Sequence, residues 1–237
     1  MSVRPFWVVL AALSCTALVG DAAGQVILEP GVWVSGALEA SDPRDERGRV
    51  LDTYALPAGY EGLVRVTVES GAFDPVVRIE APVDEVVRIL GESDDAPGLA
   101  HPTDARAFAE VRPGELPVVE VRSWDGRAAG GYRIRMDPLP RVKPRAEPVV
   151  YGADVRGALE ESDAWVNGVF EDRFRFQGEP GERVRVLVQS EEFDAALEVW
   201  GPVRGLLAQD DDGFEVDDAW VEVALPASGT YEVRVRP

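Results

Sequence analysis

The chain carries six carboxylates within nine residues, in the run 210–218. Calcium binds six to eight oxygen ligands, and a cation relieves the mutual repulsion of crowded carboxylates. The run therefore predicts a calcium site formed by Asp210, Asp211, Asp212, Asp217 and Asp218. It is not an EF-hand loop, because placing Gly213 at the sixth position puts Ala208 first and Ala219 twelfth, where acidic residues belong. Alternatively, one or two of these carboxylates accept hydrogen bonds from turn N–H groups while the others face water.

No residue pattern indicates a catalytic centre, and we assign no catalytic residue. His101 is the only histidine, which excludes a multi-histidine metal site, and no motif supplies it with a nucleophile. Paired carboxylates hydrolyse glycosides in other proteins, but nothing in this chain selects a pair. We expect a non-catalytic protein, and the alternative is a hydrolase of unrecognised type with an acidic site.

Residues 1–24 have the pattern of a secretory signal peptide. Arg4 provides the positive start, residues 6–19 are mostly apolar, and small residues stand at 22–24. The chain is therefore expected to be secreted or periplasmic, and cleavage after this leader would remove Cys15, the only thiol. Cleavage before Cys15 instead would give a lipid-anchored protein. The apolar stretch is shorter than the ~20 residues of a membrane span, and no later segment is long enough, so we expect no span.

The charge of the chain restricts its partners. Its net charge is −19, from 24 basic and 43 acidic residues. Such a chain repels phosphate backbones, so we do not expect a nucleic-acid partner. We expect a protein or a polysaccharide outside the cytoplasm as the partner, and calcium is the cofactor that the sequence suggests.

Alternation of apolar and polar residues indicates strands. Val64, Val66 and Val68 alternate with Arg65 and Thr67, and this period of two is typical of a strand with one buried face. Glycine and proline interrupt such runs every ~8–12 residues, which is the spacing of turns in all-β proteins. The pattern predicts an all-β fold, either a β-sandwich or a β-barrel.

The sequence contains one unit twice. The motif Gly-Ala-Leu-Glu at 36–39 returns at 157–160, a spacing of 121, and the valine run of residues 64–68 returns 120 residues later. Further on, we align Ala107 with Ala219 at a spacing of 112. The second copy is thus shorter between these regions, which indicates a tolerant loop there.

The repeat divides the chain and leaves the second copy incomplete. We predict a first domain at 25–137, a proline-rich linker at 138–148 and a second domain at 149–237. The strand predicted at 132–136 has no counterpart in the second copy, so a neighbouring strand is expected to keep unpaired N–H and C=O groups. We expect another segment to fill this place: residues 25–29, a strand of the first domain, or a strand added by a partner.

Short motifs shared by the copies resemble a known family. They are an Asp-x-aromatic strand at 52–54 and 172–174, a Val-x-Val-x-Val strand, Ser-x-x-Phe-Asp and an aspartate-rich turn, followed in the second copy by Pro-x-Ser-Gly-Thr-Tyr at 226–231. Together they resemble the bacterial pre-peptidase C-terminal domain, from which the first copy departs more than the second. The resemblance implies an all-β fold of two antiparallel, jelly-roll-like β-sandwich domains in tandem. Such modules are usually attached to secreted hydrolases and have no chemistry of their own. Related modules bind calcium and matrix proteins.

The repeat also sorts the aromatic residues. Matched positions are expected in the core, and we match Tyr54 with Phe174, Phe73 with Phe193, Phe108 with Trp220, and Val119 with Tyr231. The tryptophans without an aromatic counterpart are predicted to form a platform for sugar rings or a protein partner; they are Trp33, Trp124, Trp165 and Trp200. Alternatively, each fills a gap in its own copy or lies in the contact between the copies.

Overall fold

The computed structural model describes residues 25–83, 86–95, 103–127, 129–203, 205–211 and 218–237. Within these ranges every regular element is a β-strand and nearly all strand pairs are antiparallel, which confirms the predicted all-β fold. These ranges contain no helix that is long and apolar enough to cross a membrane. The predicted signal peptide with Cys15 lies outside the described residues, and so does His101.

The first copy consists of two sheets. Its strands are β1 (Val26–Ile27), β2 (Val34–Leu38), β3 (Leu51–Ala55), β4 (Gly62–Glu69), β5 (Pro75–Val83), β6 (Val86–Ser93), β7 (Ala105–Val111), β8 (Val118–Ser123) and β9 (Gly130–Leu139). One sheet has the order β1-β3-β8-β5-β6 and the other the order β2-β9-β4-β7. All these pairs are antiparallel except that of β1 with β3.

The second copy repeats the first sheet in full and the second sheet in part. Its strands are β10 (Ala146–Pro148), β11 (Ala164–Val166), β12 (Val169–Gly178), β13 (Arg183–Val188), β14 (Ala196–Gly201), β15 (Gly205–Asp210), β16 (Ala219–Ala224) and β17 (Gly229–Arg236). The larger sheet has the order β10-β12-β17-β14-β15, with the hairpin strand β11 on β12. The smaller sheet contains β13 and β16 alone within the described residues.

Strand pairing gives a more accurate alignment of the copies than the sequence did. Val77 pairs with Val121 in the first copy, and Leu197, 120 residues after Val77, pairs with Val235. The later strands therefore correspond at a spacing of 114, and the predicted spacing of 112 is wrong. An alternation of period two cannot detect a shift of two residues, because every side chain stays on the same face.

The corrected alignment changes two of the four matched pairs. Phe108 and Trp220 were expected in the core, but both lie on the outer face of their strands and are only partly buried. The buried neighbours are Ala107 and Ala109 for Phe108, and Ala219 and Val221 for Trp220. Val119 and Tyr231 are both buried, as expected, although Val119 matches Val233. The other two pairs pack in the cores of their copies.

A core forms between the two sheets of the first copy. Val64, Val66 and Val68 of β4 are fully buried against Ile79 and Val121 of the other sheet. The core of the second copy is smaller, because fewer strands cover it. Its largest fully buried side chain is that of Tyr231.

The predicted linker and the predicted role of residues 25–29 differ from the structure. The predicted linker at 138–148 is shorter, because β9 continues to Leu139 and β10 begins at Ala146. Residues 25–29 do not complete the second copy, since β1 pairs with β3 of its own copy. In the same way, β10 pairs in parallel with β12, so this short strand belongs to the repeat.

Candidate functional site: an open strand position

Strand β9 closes the first copy. It lies between β2 and β4 and is antiparallel to both. Tyr132, Ile134 and Met136 point inward and are 6%, 0% and 0% exposed, as the predicted alternation requires. On the outer face Asp137 stands opposite Arg65 and binds its guanidinium at 2.8 Å.

One side chain of β9 also donates a hydrogen bond to a carboxylate. The Tyr132 hydroxyl donates to Asp52 Oδ2 at 2.5 Å and lies 2.6 Å from the Tyr54 hydroxyl. Burial raises the pKa of Asp52, and the nearby Asp42 and Glu39 raise it further, while the bond from Tyr132 opposes this shift. Burial and the bond to Asp52 raise the pKa of Tyr132, so it remains a donor.

The second copy has no equivalent of β9 within the described residues. Strand β13, the counterpart of β4, pairs with β16 on one side and with no described strand on the other. Val186 and Val188 are partly exposed and Leu187 is 49% exposed, whereas the matching valines of β4 are 0% exposed. Within the described part of the chain, the edge of β13 is therefore open, whereas β9 covers the edge of β4.

The far side of this opening is formed by residues 155–159. They correspond to β2 at a spacing of 121, yet they form no strand, and Val155 is 50% exposed. The turn that follows is retained: Glu160 donates its backbone N–H to Asp163 at 2.6 Å, as Glu39 does to Asp42 at the same distance. The segment is thus held at its end like β2 but has no strand partner among the residues that the structure describes.

Asp172 lies beside the opening at the position of Asp52. A Cβ built on Gly157 would lie 3.3 Å from Asp172 Oδ2, which places the 155–159 segment next to this carboxylate. Burial raises the pKa of Asp172, and Asp163, Glu147 and Glu160 raise it further. The lowering contribution that Tyr132 makes at Asp52 has no counterpart here.

The outer face beside the opening is basic. The side chains of Arg183 and Arg185 are 77% and 67% exposed, and both reach Glu222 on β16. Arg185 Cζ also lies 5.4 Å from the centre of the Trp220 ring. In a chain of net charge −19, a basic strand edge favours a partner strand with carboxylates.

Sequence reasoning predicted that the second copy lacks a strand, and the described residues contain no counterpart of β9. It did not single out the residues around that position. The available signal was the repeat, which aligns Asp172 with Asp52 and Arg185 with Arg65. Their roles depend on contacts made by β9, more than sixty residues away in the first copy. Such long-range contacts cannot be read from a local pattern.

Two of the predicted calcium ligands accept hydrogen bonds from N–H groups. Asp210 accepts the backbone N–H of Trp220 at 2.8 Å. Asp218 is 5% exposed and accepts the backbone N–H of Ser190 at 3.3 Å. Asp104 accepts the N–H of Ser70 in the same way in the first copy.

The calcium site itself stays a prediction. Asp212 and Asp217 lie outside the described residues, and Asp211 is exposed. No group of three or more histidine, cysteine, aspartate or glutamate side chains able to hold a metal ion occurs among the described residues. Asp210 and Asp218 thus accept backbone N–H groups, although Trp220 belongs to strand β16 and not to a turn.

The four predicted ligand-binding tryptophans lie in separate surroundings. Trp33 packs under Arg133, with 4.4 Å from ring centre to guanidinium carbon, and Trp200 packs under Arg234 at 4.3 Å. Trp124 is 62% exposed. No ring contact links any two of these four described side chains, and their role in ligand binding stays a prediction.

Trp165 lies between the two copies. It packs against Phe170 of its own hairpin and against Phe108 of β7, with ring centres 4.9 and 5.8 Å apart. Beside these rings Glu161 binds Arg65 at 2.6 Å and Arg106 at 3.4 Å. The position of Trp165 follows the alternative in which an unmatched tryptophan lies in the contact between the copies. Its contact with Phe108 explains why Phe108 faces outward.

Comparisons with known proteins do not identify a family. Neither a family model nor a curated protein sequence matches this chain. Among solved structures, the chain is similar to the PBSX exported protein XepA, with 10% identity, a TM-score of 0.28, and coverage of 87% of this chain and 86% of that chain. It is also similar to the protein YhaK from Escherichia coli, with 11% identity, a TM-score of 0.17, and coverage of 86% and 94%. Likenesses this weak carry no argument, and the resemblance to the pre-peptidase C-terminal domain stays a prediction.

Proposed function

We propose that this chain is a non-catalytic binding protein that acts outside the cytoplasm and takes a protein partner at the open strand position of its second copy. The observation that carries the proposal is the free edge of β13 within the described residues. An unpaired edge offers a row of N–H and C=O groups to another chain, and natural proteins usually cover or blunt it. Binding by strand addition uses such an edge directly.

Apolar exposure at the same place supports the proposal. Val186 and Val188 face the core side of β13 and remain partly exposed, and Leu187 on the outer face is 49% exposed. Covering apolar surface contributes ~25 cal/mol per Å². A partner strand would gain this contribution in addition to backbone hydrogen bonds. The non-catalytic part of the proposal rests on the sequence, which contains no recognisable catalytic motif.

A second candidate function is the binding of an acidic polysaccharide. An open groove of about 600 Å³ is lined by Trp200 together with Arg145, Arg175 and Arg234. An aromatic ring among guanidinium groups suits a sugar ring that carries a carboxylate. Retention on an alginate column tests this candidate. Trp200→Ala should abolish the retention, and Trp124→Ala, which changes an exposed ring outside the groove, should not.

Photo-crosslinking tests the protein-binding function. A photoreactive amino acid at Leu187, made in the cells that produce the protein, should give a discrete adduct with another polypeptide. Leu116 is 67% exposed in the first copy and provides the control position. An adduct of equal yield from both positions, or none from Leu187, would show that the open edge is not a binding surface.

A further inference from the structure

The opening in the second copy corresponds to the position of one strand of the first copy. In the first copy β9 occupies the corresponding place and pairs with β2 on one side and β4 on the other. In the second copy residues 155–159 stand in the place of β2, and β13 stands in the place of β4. We define these two segments and Asp172 between them as the acceptor groove.

We propose that the acceptor groove binds an extended segment of another protein, inserted antiparallel to β13 as β9 lies against β4, with a hydroxyl-bearing side chain over Asp172 and carboxylates facing Arg185 and Arg156. This inference rests on the proposed function and adds the direction, register and sequence pattern of the partner. The register of the inserted segment follows from the repeat. In the first copy Asp137 of β9 pairs with Arg65, and Tyr132 pairs with Gly36. Arg185 and Gly157 stand in the places of Arg65 and Gly36 in the second copy.

The inward positions of the donor strand follow from β9. The residue in the place of Tyr132 lies beside Gly157 and Asp172, where a phenol donates to the carboxylate as Tyr132 does to Asp52. The residues in the places of Ile134 and Met136 stand opposite Val188 and Val186, which β9 would cover if it lay here. They must be apolar, because they complete the core.

The outward positions differ from β9 in charge. Arg133 of β9 stands opposite Glu69 and Ser35, and it forms an ion pair with Glu69. The matching residues in the second copy are Gln189 and Arg156, so the local charge changes from negative to positive. A donor strand should therefore carry a carboxylate where β9 carries Arg133, and should keep the carboxylate of Asp137 for Arg185.

A second copy of this chain is not the occupant that we infer. The strand with the required inward pattern is β9, and it is already paired on both sides in its own sheet. Donating it would open the core around Ile134 and Met136, both 0% exposed. Donation of β9 by a second copy is therefore not the occupancy that we infer.

A pair of peptides tests the inference on the full chain. The first has the sequence of residues 130–139 and the second carries Arg133→Glu; both are labelled, and their binding is followed by fluorescence anisotropy. The Arg133→Glu peptide should bind about threefold tighter, the effect of one exposed ion pair. General attraction to a chain of net charge −19 would favour the more basic peptide, so the opposite order overturns the inference.

Variants of the peptide and the protein locate the binding. Ile134→Asp in the peptide should abolish binding, and Arg185→Glu in the protein should weaken it about threefold or more. Lys143→Glu makes the same charge change on the exposed connection and should leave the affinity unchanged. Hydrogen exchange of the residue 183–188 amides should slow when the peptide is bound, and unchanged exchange would contradict insertion beside β13.

The remaining outcomes separate this inference from the proposed function. Crosslinking at Leu187 without peptide binding would reject the acceptor groove and leave partner binding intact. Failure of both experiments would reject both proposals. A chain that is dimeric alone, with the 183–188 amides already protected, would assign the groove to a second copy and overturn the inference.

Discussion

The Tyr132 phenol donates a 2.5 Å hydrogen bond to Asp52, and this bond joins the closing strand of the first copy to its neighbouring sheet. Tyr132 also contacts Phe73 and Tyr54 edge to face, with ring centres 6.0 and 6.4 Å apart. The hydroxyl thus satisfies a partly buried carboxylate, while the ring fills the core. The second copy has the carboxylate, Asp172, but no described strand that brings a donor to it.

Tyr132→Phe should destabilise the protein by about 1–3 kcal/mol, because it leaves partly buried polar groups without their partner and keeps the ring. The measurement is urea unfolding of the purified chain. Tyr151→Phe is the matched control, since Tyr151 is 55% exposed and its hydroxyl binds Glu182 at 2.9 Å. Equal losses from the two variants would contradict a special role of the Tyr132 bond.

Asp218→Ala should destabilise the protein by about 1–3 kcal/mol, because it removes the acceptor of the Ser190 N–H group. The loss should be the same in EDTA and in millimolar calcium, since the partners described are N–H groups. Thermal unfolding in both conditions measures it. A loss seen only with calcium would instead support the predicted metal-ligand role of Asp218.

Much of the fold follows from local pattern, whereas the register does not. Alternation around Val66 predicted strands with one buried face, and the repeat predicted that the second copy lacks a strand like β9. The spacing of the later strands was wrong by two residues, because hydrophobic alternation is unchanged by that shift. Pairing of Val121 with Val77 and of Val235 with Leu197 gives the correct value.

The candidate site was only partly predictable for a related reason. An open edge follows from counting strands, but the chemistry of the opening depends on what the missing strand would touch. Asp172 and Arg185 look like ordinary surface residues in sequence. Their significance comes from Asp52 and Arg65, which bind Tyr132 and Asp137 of β9 across long sequence separations.

Trp165→Ala should weaken the contact between the copies. It removes the ring that packs between Phe108 and Phe170. Truncating an aromatic residue in a core costs about 3–5 kcal/mol, and this partly buried position should cost less. The second copy, with the smaller core, should then unfold separately from the first, so calorimetry should show two transitions. Trp124→Ala is the control, because this ring is 62% exposed. Like the unsubstituted chain, this variant should unfold in a single calorimetric transition.

Asp172→Asn should gain stability relative to the unsubstituted chain as pH rises. Burial, followed by Asp163, Glu147 and Glu160, raises the pKa of Asp172 above its ordinary value of 3.8. The folded state then holds the proton more tightly than the unfolded state, so ionisation lowers native stability. This cost is absent below pH 3.8 and is complete above the raised pKa, and the asparagine variant does not incur it.

Asp137→Asn provides a control of opposite sign. Burial opposes ionisation of Asp137, but its hydrogen bonds from Arg135 and Arg65 outweigh burial and lower its pKa. Its contribution to stability is therefore present above pH 3.8 and is lost as pH falls through the lowered pKa. Urea unfolding between pH 3 and pH 7 should show the Asp172→Asn difference rising with pH and the Asp137→Asn difference falling. Parallel curves for the two variants would mean that burial and the neighbouring carboxylates do not raise the pKa of Asp172.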